Sequence, residues 1–385
     1  MNSKKILILN SLYAPNIGGV ENSIKELSKS FSKENYHVDI ICSNRNFIDN
    51  NELPYSDEDE FSTIYRYNVV GVGYFNQIKN CLFLIKSLIK KNKYAIVISR
   101  GYITSFCLSL LRVEYYYLIP SVIFEQNKKN FFNYSIKNKV NFIFSSLIQI
   151  IAFNSSKCIV FSRGMIDQVK KFKFFGKLES CSFGVDSERF FQVTDDVKNN
   201  IRMRLGLELN SKYILCLGRF SELKNFEIAI EAMTGLSEDY KLLLVGSGPQ
   251  EVKYRELINI NKLKNRVLIL GPTDEPEIFY KASDIFLMTS RYESFGQVLL
   301  EATASRLKLV AFKPSVHILT NTDSIYEDHP RLVSFVENVD KESLAEAISG
   351  IDISATEEIE FDSFIKKYSW DNLAKYLYLT SMESQ

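Results

Sequence analysis

The stretch YILCLGRFSELKNFEIAIEAM, residues 213–233, decides the fold. It opens on a continuous apolar run of strand length, and its end sets Phe226, Ile230 and Met233 on one helical face. A strand apolar on both sides, followed within a few residues by an amphipathic helix, is the unit from which helix-covered parallel sheets are built. Between the two, Arg219 stands just past the strand's carboxyl end and Lys224 beside the start of the helix. A planar guanidinium fork and a compact ammonium together suit a diphosphate at a helix N-terminus. Solvated surface residues are the plainer reading of the pair taken alone.

The same unit recurs on either side. ILIL (6–9), VDIIC (38–42), YAIVIS (94–99), SVIFE (121–125), CIVFS (158–162), KLLLVG (241–246), RVLILG (266–271), DIFLMTS (284–290) and LKLVAF (307–312) read as buried strands alternating with helical segments. This is α/β with parallel sheets. The series restarts: one sheet runs from Ile6 to about Cys181 and a second from Tyr213 to Phe312, with polar QVTDDVKNN (192–200) as a linker. A length of 385 residues also favours two domains. Doubly wound domains carry their functional loops at the carboxyl ends of the strands.

Charge divides the same way. Residues 1–190 hold 25 Lys and Arg against 16 Asp and Glu, and residues 191–385 hold 22 against 30. A basic N-terminal half suits an anionic surface or a phosphorylated acceptor, or is a chance imbalance over solvated faces. The cysteines stand singly, without metal-ligand spacing, and read as reduced core residues of a cytoplasmic protein. The opening MNSKKILILNSLYAP reads as a first strand, not a signal peptide. No segment reaches the roughly 20 apolar residues of a membrane span. FIFSSLIQIIAF (142–153), led in by Lys128, Lys129, Lys137 and Lys139, reads either as a membrane-surface element or as a buried core helix. SDEDE (56–60) reads as a solvated acidic loop.

Two further loops carry candidate chemistry. In NSLYAPNIGGVENSIKELSKSF (10–31), Gly18 and Gly19 open a helix, where backbone amides can approach an anion. In RYESFGQVLLEATAS (291–305), Glu293 precedes a helix and Glu301 lies about five residues inside it. At 1.5 Å per residue that separates them by roughly 7–8 Å, so two acids can touch two parts of one polyhydroxylated ligand. A loop Glu with a helix-surface Glu is the plainer reading. Gly246-Ser-Gly248-Pro249 is half of a dinucleotide fingerprint, without the third glycine or the ribose-binding acid. The three histidines, His37, His317 and His329, have no nucleophile partner, so a hydrolase triad lacks support.

Taken in order, APNIGGVENSIKELSKSF with HVDIIC, SFGVDSERF (182–190), LGRFSELKNFEIAIEAM, LLLVGSGP, YKASDIFLMTSRYESFGQVLLEATA and YSWDNLAKYLYL (368–379) resemble glycosyltransferase family 4 (GT4, group 1) over nearly the whole chain. The resemblance implies the GT-B fold, two facing Rossmann-like doubly wound domains with a cleft between them. An acceptor-binding domain would span 1–191 and a nucleotide-sugar donor-binding domain 192–365, with the C-terminal helix, 366–385, packing back on the first. It implies that Arg219 and Lys224 grip the donor diphosphate and that Glu293 contacts the transferred sugar. Ser294 and the backbone at Phe295 and Gly296 would help bind sugar and phosphate, Glu301 would hold the ribose hydroxyls, and Gly18-Gly19 would close over the phosphates.

Retention at the anomeric carbon follows from the resemblance, with no metal or other cofactor and a UDP-sugar ahead of other nucleotide sugars as donor. The expected acceptor is a glycan, lipid-linked, of a bacterial surface polysaccharide, worked on at the inner membrane face and with no nucleic-acid partner. The family often places a histidine near the sugar in the acceptor domain, and ISRGYITS (98–105) and VIFEQNKKN (122–130) contain none, leaving Arg100 and Glu125 nearest that place. AFKPSVHILTNTDSIYED (311–328) also lacks the glycines usual after its strand, and His317 there reads as a loop-packing residue. A nucleotide-sugar epimerase and a nucleotide-sugar binder without turnover are the alternatives.

Overall fold

A computed structural model of the protein describes residues 4–16, 18–46, 51–128, 131, 134–353 and 358–382. The chain divides into two compact units, residues 1–184 with 370–385, and residues 185–369.

Unit 1 contains strands β1 (Lys5–Leu9), β2 (His37–Ser43), β3 (Ser56–Glu58), β4 (Ser62–Tyr67), β5 (Tyr94–Ser99), β6 (Tyr116–Leu118), β7 (Lys157–Val160) and β8 (Leu178–Ser180). They form one sheet in the order β3-β4-β2-β1-β5-β6-β7-β8, parallel except for the edge pair β3–β4. Helices α1 (Gly19–Lys33), α2 (Tyr74–Lys91), α3 (Tyr102–Leu110), α4 (Ile123–Asn127), α5 (Ile136–Ser155) and α6 (Arg163–Lys170) connect them. The central strands are apolar through and through because helices cover both faces: Ile6, Leu7, Ile8 and Leu9 of β1 are wholly buried.

Unit 2 contains α7 (Asp195–Arg204), β9 (Lys212–Leu217), α8 (Phe226–Ala232), β10 (Tyr240–Val245), α9 (Glu251–Ile260), β11 (Val267–Ile269), α10 (Pro276–Ala282), β12 (Ile285–Met288), α11 (Gln297–Ala304), β13 (Lys308–Phe312), α12 (Thr322–Ile325), β14 (Val333–Val336), α13 (Lys341–Ser349) and α14 (Glu358–Lys367). Its all-parallel sheet runs β11-β10-β9-β12-β13-β14. The strand order reverses between β9 and β12, the switch point at which doubly wound sheets hold ligands.

The last helix, α15 (Trp370–Met382), belongs to unit 1. Trp370, Leu373 and Leu377 are buried, and Lys33 and Lys4 on unit 1 meet Asp371 and the Tyr378 hydroxyl at 3.4 and 3.1 Å.

Several expectations need correction. SVIFE is not a strand: β6 ends at Leu118, just before the Ile119-Pro120 step, where the proline cannot donate to a ladder. The chain then turns into α4, and the Gln149 side chain accepts a hydrogen bond from the Ile123 amide at 2.8 Å. SDEDE is not a free loop. Ser56–Glu58 pair antiparallel with β4 as an exposed acidic edge strand, a form that discourages further strand pairing.

QVTDDVKNN is not a linker either. Its last six residues open α7, which is pinned to unit 2 where Lys198 and Arg202 meet Asp284 at 2.5 and 2.8 Å. The division falls earlier, at Gly184, because Arg189 and Phe190 are already committed to unit 2. Arg189 meets Glu277 at 2.7 Å, and Phe190 stacks edge-on to Tyr280. Strands β4, β6, β8 and β14 were not among the apolar runs: β4 lies between β3 and β2, β6 between β5 and β7, and β8 and β14 each at a sheet edge.

Candidate active site

The four catalytic or donor-binding side chains expected in the second half, Arg219, Lys224, Glu293 and Glu301, all stand in unit 2 on segments that leave the carboxyl ends of two neighbouring strands, β9 and β12. Strand adjacency brings their loops together. The Thr289 hydroxyl donates to the Lys224 carbonyl at 2.8 Å, and the Arg291 amide to the Leu223 carbonyl at 2.8 Å. The result is an ion pair across the two loops: Lys224 Nζ lies 2.6 Å from Glu293 Oε2, with both side chains about four-fifths shielded from solvent.

A third loop buttresses the second. The Leu319 amide donates to the Arg291 carbonyl and the Glu293 amide to the Leu319 carbonyl, at 2.8 and 3.0 Å. Asn321 donates from Nδ2 to the carbonyl of Ser294 at 2.8 Å and of Glu293 at 3.3 Å. Thus Ser294 takes part through its backbone, and Phe295 is buried with its ring 6.4 Å from that of Tyr368. His317 is exposed on this third loop, with its amide on the Ser315 hydroxyl.

Gly296 caps α11 with φ of +92°, a left-handed conformation that disfavours a side chain, and an added Cβ would sit 3.0 Å from Leu299 Cδ1 and 3.4 Å from Glu293 Cγ. The tight turn leads straight from Glu293 into the helix.

Glu301 falls on the fifth residue of α11 and is buried, 7% exposed, so it is not a helix-surface acid. Around it on the same helix Leu299, Leu300 and Ala302 are buried and Val298 is half-buried. The Tyr280 hydroxyl donates to Glu301 Oε2 at 2.8 Å. Burial pushes the Glu301 carboxyl up to about 7, Glu277 adds to the rise, and the Tyr280 hydrogen bond and the charges of Arg189 and Lys224 partly offset it. Ionised, this shielded carboxylate can accept hydrogen bonds from hydroxyl groups, and its protonated form loses part of that capacity.

Arg219 is exposed, and among the described residues its guanidinium makes no hydrogen bond or ion pair. Its loop is firm nonetheless: the Phe220 amide donates to the Ser247 carbonyl at 2.8 Å, and the Gln250 amide to the Phe220 carbonyl at 3.1 Å. A Cβ on Gly246 would run into the Gly218 carbonyl. The glycines of Gly246-Ser-Gly248 therefore serve loop-to-loop packing, which accounts for half a dinucleotide fingerprint without a dinucleotide site.

Gly18 and Gly19 belong to unit 1, where Gly18 caps α1 in an extended conformation and the Glu21 carboxylate folds back against it. Burial raises the Glu21 carboxyl, while its own backbone, Arg100 and Asn10 pull it down. Arg100 is buried beside the packed rings of Phe161 and Phe183, its charged centre 5.4 and 5.5 Å from their centroids, and desolvation lowers it to about 10. Glu125 is committed to Lys128 and to Lys171, the latter at 2.9 Å. Burial raises it, but those two ammonium groups bring it below its ordinary value.

Tyr280, Arg189, Glu277 and Asn321 were not singled out from sequence. Tyr280 and Arg189 do lie inside YKASDIFLMTS and SFGVDSERF, the motifs that carried the resemblance. A hollow of about 440 Å³ in unit 2, lined by Phe190, Phe191, Thr303, Arg306 and Phe361 among others, receives none of the four side chains of the site. Among the described residues no group of three or more His, Cys, Asp or Glu stands at metal-binding spacing.

Comparison with known proteins follows the same division. A family model described as "Glycosyltransferase Family 4" matches residues 17–189, and one described as "Glycosyl transferases group 1" matches residues 197–351. Mannosylfructose-phosphate synthase of Agrobacterium fabrum is 35% identical over 136 residues, 32% of this chain and 29% of that protein. The lipopolysaccharide core biosynthesis mannosyltransferase LpsB of Rhizobium meliloti is 29% identical over 136 residues, 33% of this chain and 38% of that protein. The matches to the first three curated relatives span 28–48% of those proteins' lengths.

Among solved structures, sucrose-phosphate synthase (tll1590) from Thermosynechococcus elongatus superposes with a TM-score of 0.81 at 18% identity, covering 99% of this chain and 100% of that one. Anabaena Alr3699/HepE, in complex with UDP and glucose, superposes with a TM-score of 0.75 at 16% identity, covering 98% and 99%. At such identities the likeness concerns the fold.

Proposed function

Because the chain belongs to the glycosyltransferases of group 1 and family 4, with the GT-B fold, we propose that it moves a sugar from a nucleoside-diphosphate sugar to a hydroxyl group of an acceptor. The observation that carries this reading is the arrangement in unit 2 of Lys224 against Glu293 at 2.6 Å and of a buried Glu301 held by Tyr280, at the strand-order switch point.

The chemistry then assigns itself to charges. The bond from the anomeric carbon to the diphosphate oxygen breaks, and its electron pair goes to the diphosphate. Arg219 and Lys224 stabilise that charge, preorganised on firm loops. Lys224 has three N–H donors, so it can keep Glu293 and still reach a phosphate oxygen. Glu293, beside the sugar, balances the positive charge growing on the anomeric carbon, while the backbone at Phe295-Gly296 helps hold sugar and phosphate.

The acceptor oxygen bonds to the same face and passes its proton to the leaving phosphate, so configuration is retained and no metal is required. Glu301 takes the ribose hydroxyls. UDP is the favoured nucleotide, in keeping with the UDP held by the HepE structure. A hexosyl group is transferred to a lipid-linked glycan of a surface polysaccharide at the cytoplasmic face of a membrane. The basic balance of residues 1–190 and the likeness to a lipopolysaccharide mannosyltransferase support that acceptor class.

A panel of nucleotide sugars tested for nucleoside-diphosphate release that depends on an added glycan acceptor checks transfer itself. Arg219→Ala should lower kcat/KM at least tenfold, about 1.4 kcal/mol in the barrier. An unchanged rate would remove Arg219 from the site.

A pH dependence follows from Glu301. Its carboxyl is raised from 4.5 to about 7 in the folded chain. The folded state therefore holds that proton more tightly than the unfolded one, and the group costs stability as pH rises from about 4.5 to about 7. Ribose hydroxyls favour the ionised form, so donor affinity should increase as pH rises through 7, and Glu301→Gln should flatten that profile. Equal slopes in calorimetric titrations of the two proteins would contradict the ribose role.

A further inference from the structure

Helix α5 has two apolar faces. One is the core face: Ile148, Gln149, Ala152 and Phe153 are buried, and Gln149 reaches the Tyr117 hydroxyl at 3.1 Å and the Ser121 carbonyl at 2.8 Å. The other bears Ile136, Val140, Ile143, Phe144, Leu147 and Ile151, between 45 and 83% exposed. Their spacing follows the helical turn, so they form one continuous stripe about 22 Å long at 1.5 Å per residue. The sequence left open whether this segment is a core helix or a surface element, and each description fits one side of it.

The stripe continues onto a neighbour. Tyr74, opening α2, packs edge-on to Phe144 with ring centroids 5.5 Å apart. From there the exposed side of α2 alternates Phe75, Lys79, Phe83, Lys86 and Lys90, with Phe75 81% and Phe83 77% exposed. Single exposed apolar side chains are ordinary, but a contiguous set marks an interaction surface. Neither helix contains an acid, and together they carry six lysines: 79, 86, 90, 91, 137 and 139. Lys129, in the same lead-in, lies outside the described residues.

We propose that this face of unit 1 docks on an anionic phospholipid surface, with the α5 stripe, Phe75 and Phe83 seated at the boundary of headgroups and acyl chains and the lysines meeting lipid phosphates. Charge selects this occupant. A second copy of the chain would set six lysines against six, whereas a lipid surface supplies the counter-charge. No helix among the described residues is long and apolar enough to cross a membrane, so α5 would lie on the surface instead of through it. The inference rests, for its purpose, on the reading of the acceptor as lipid-linked, and it names the surface that would bring the chain to that acceptor.

The test is cosedimentation of the full chain with vesicles of phosphatidylglycerol in phosphatidylcholine, and with phosphatidylcholine alone, at low and high salt. Binding is expected to the anionic vesicles, weakened by salt. It should fall at least tenfold both in Ile143→Ser/Leu147→Ser and in Lys137→Glu/Lys139→Glu. Ile143, Leu147 and Lys137 are exposed and Lys139 is half-buried, with its ammonium over the Phe131 ring, and none belongs to the proposed site, so turnover of a water-soluble acceptor should stay at the wild-type level and melting temperatures should show that both variants are folded.

Absence of wild-type binding, or equal binding by folded variants, overturns the proposal. A concentration-dependent dimer abolished by the same substitutions would assign the face to a second copy and overturn it too. Vesicle binding by a protein that turns over no donor would sink the transfer reading while leaving this surface standing.

Discussion

Replacing Lys224 with alanine should reduce kcat/KM for the nucleotide sugar by about 10²–10³-fold, the usual effect of losing one preorganised donor to developing negative charge. Two losses combine. The diphosphate loses a cation fixed in place by the loop, since Thr289 and Arg291 hold the backbone at Leu223 and Lys224. Glu293 loses the ammonium that sits 2.6 Å from it in a shielded position, and breaking such a pair from one side leaves the other charge uncompensated.

The two losses can be separated by adding Glu293→Gln. Residues in direct contact typically show coupling of about 0.5–3 kcal/mol, so the double variant should be less impaired than the summed single effects. Strict additivity in kcat/KM would mean that the two side chains act independently.

The second large effect is on donor affinity. Glu301→Ala should weaken donor binding by about 1.5–3 kcal/mol, the value of charge-assisted hydrogen bonds to ribose, which is roughly 10- to 150-fold in Kd. The wholly buried Tyr280 hydroxyl also loses its carboxylate partner at 2.8 Å, so some stability should be lost with the affinity. Glu301→Gln keeps an acceptor oxygen for Tyr280 and so separates the two consequences: it should recover most of the melting temperature and only part of the affinity. Titration calorimetry giving the wild-type Kd for Glu301→Ala would contradict the assignment.

Strands announced themselves in the sequence where burial on both faces demanded unbroken Ile, Val and Leu, as in β1, β9 and β10. The three-residue β6 did not, because it is Tyr-Tyr-Leu and a more apolar run lies just beyond the proline that ends it. The acidic β3 pairs at an edge where no core selects its residues.

The site follows the same logic. Glu293 and Glu301 were legible because local spacing along one loop and helix fixes their separation. Their partners were not. Tyr280 reaches Glu301 from the preceding helix, and Asn321 reaches Ser294 from the loop after β13. Which distant residue meets which is decided by sheet order, and no short pattern in the chain records it. Lys224 was flagged as a phosphate ligand, but its present partner Glu293 was read separately, because β9 and β12 become neighbours only once the strand order reverses.

The central claim is that unit 2 holds a nucleoside diphosphate through Lys224. Thermal unfolding of the wild type and of Lys224→Ala with UDP, GDP and ADP, free and as sugar conjugates, tests it most directly. At 100 times Kd a ligand of the native state adds about 2.7 kcal/mol, a shift easily read. One nucleotide raising the wild-type melting temperature while leaving Lys224→Ala unmoved is the predicted result. A wild type that none of the three nucleotides or their conjugates shifts would contradict it.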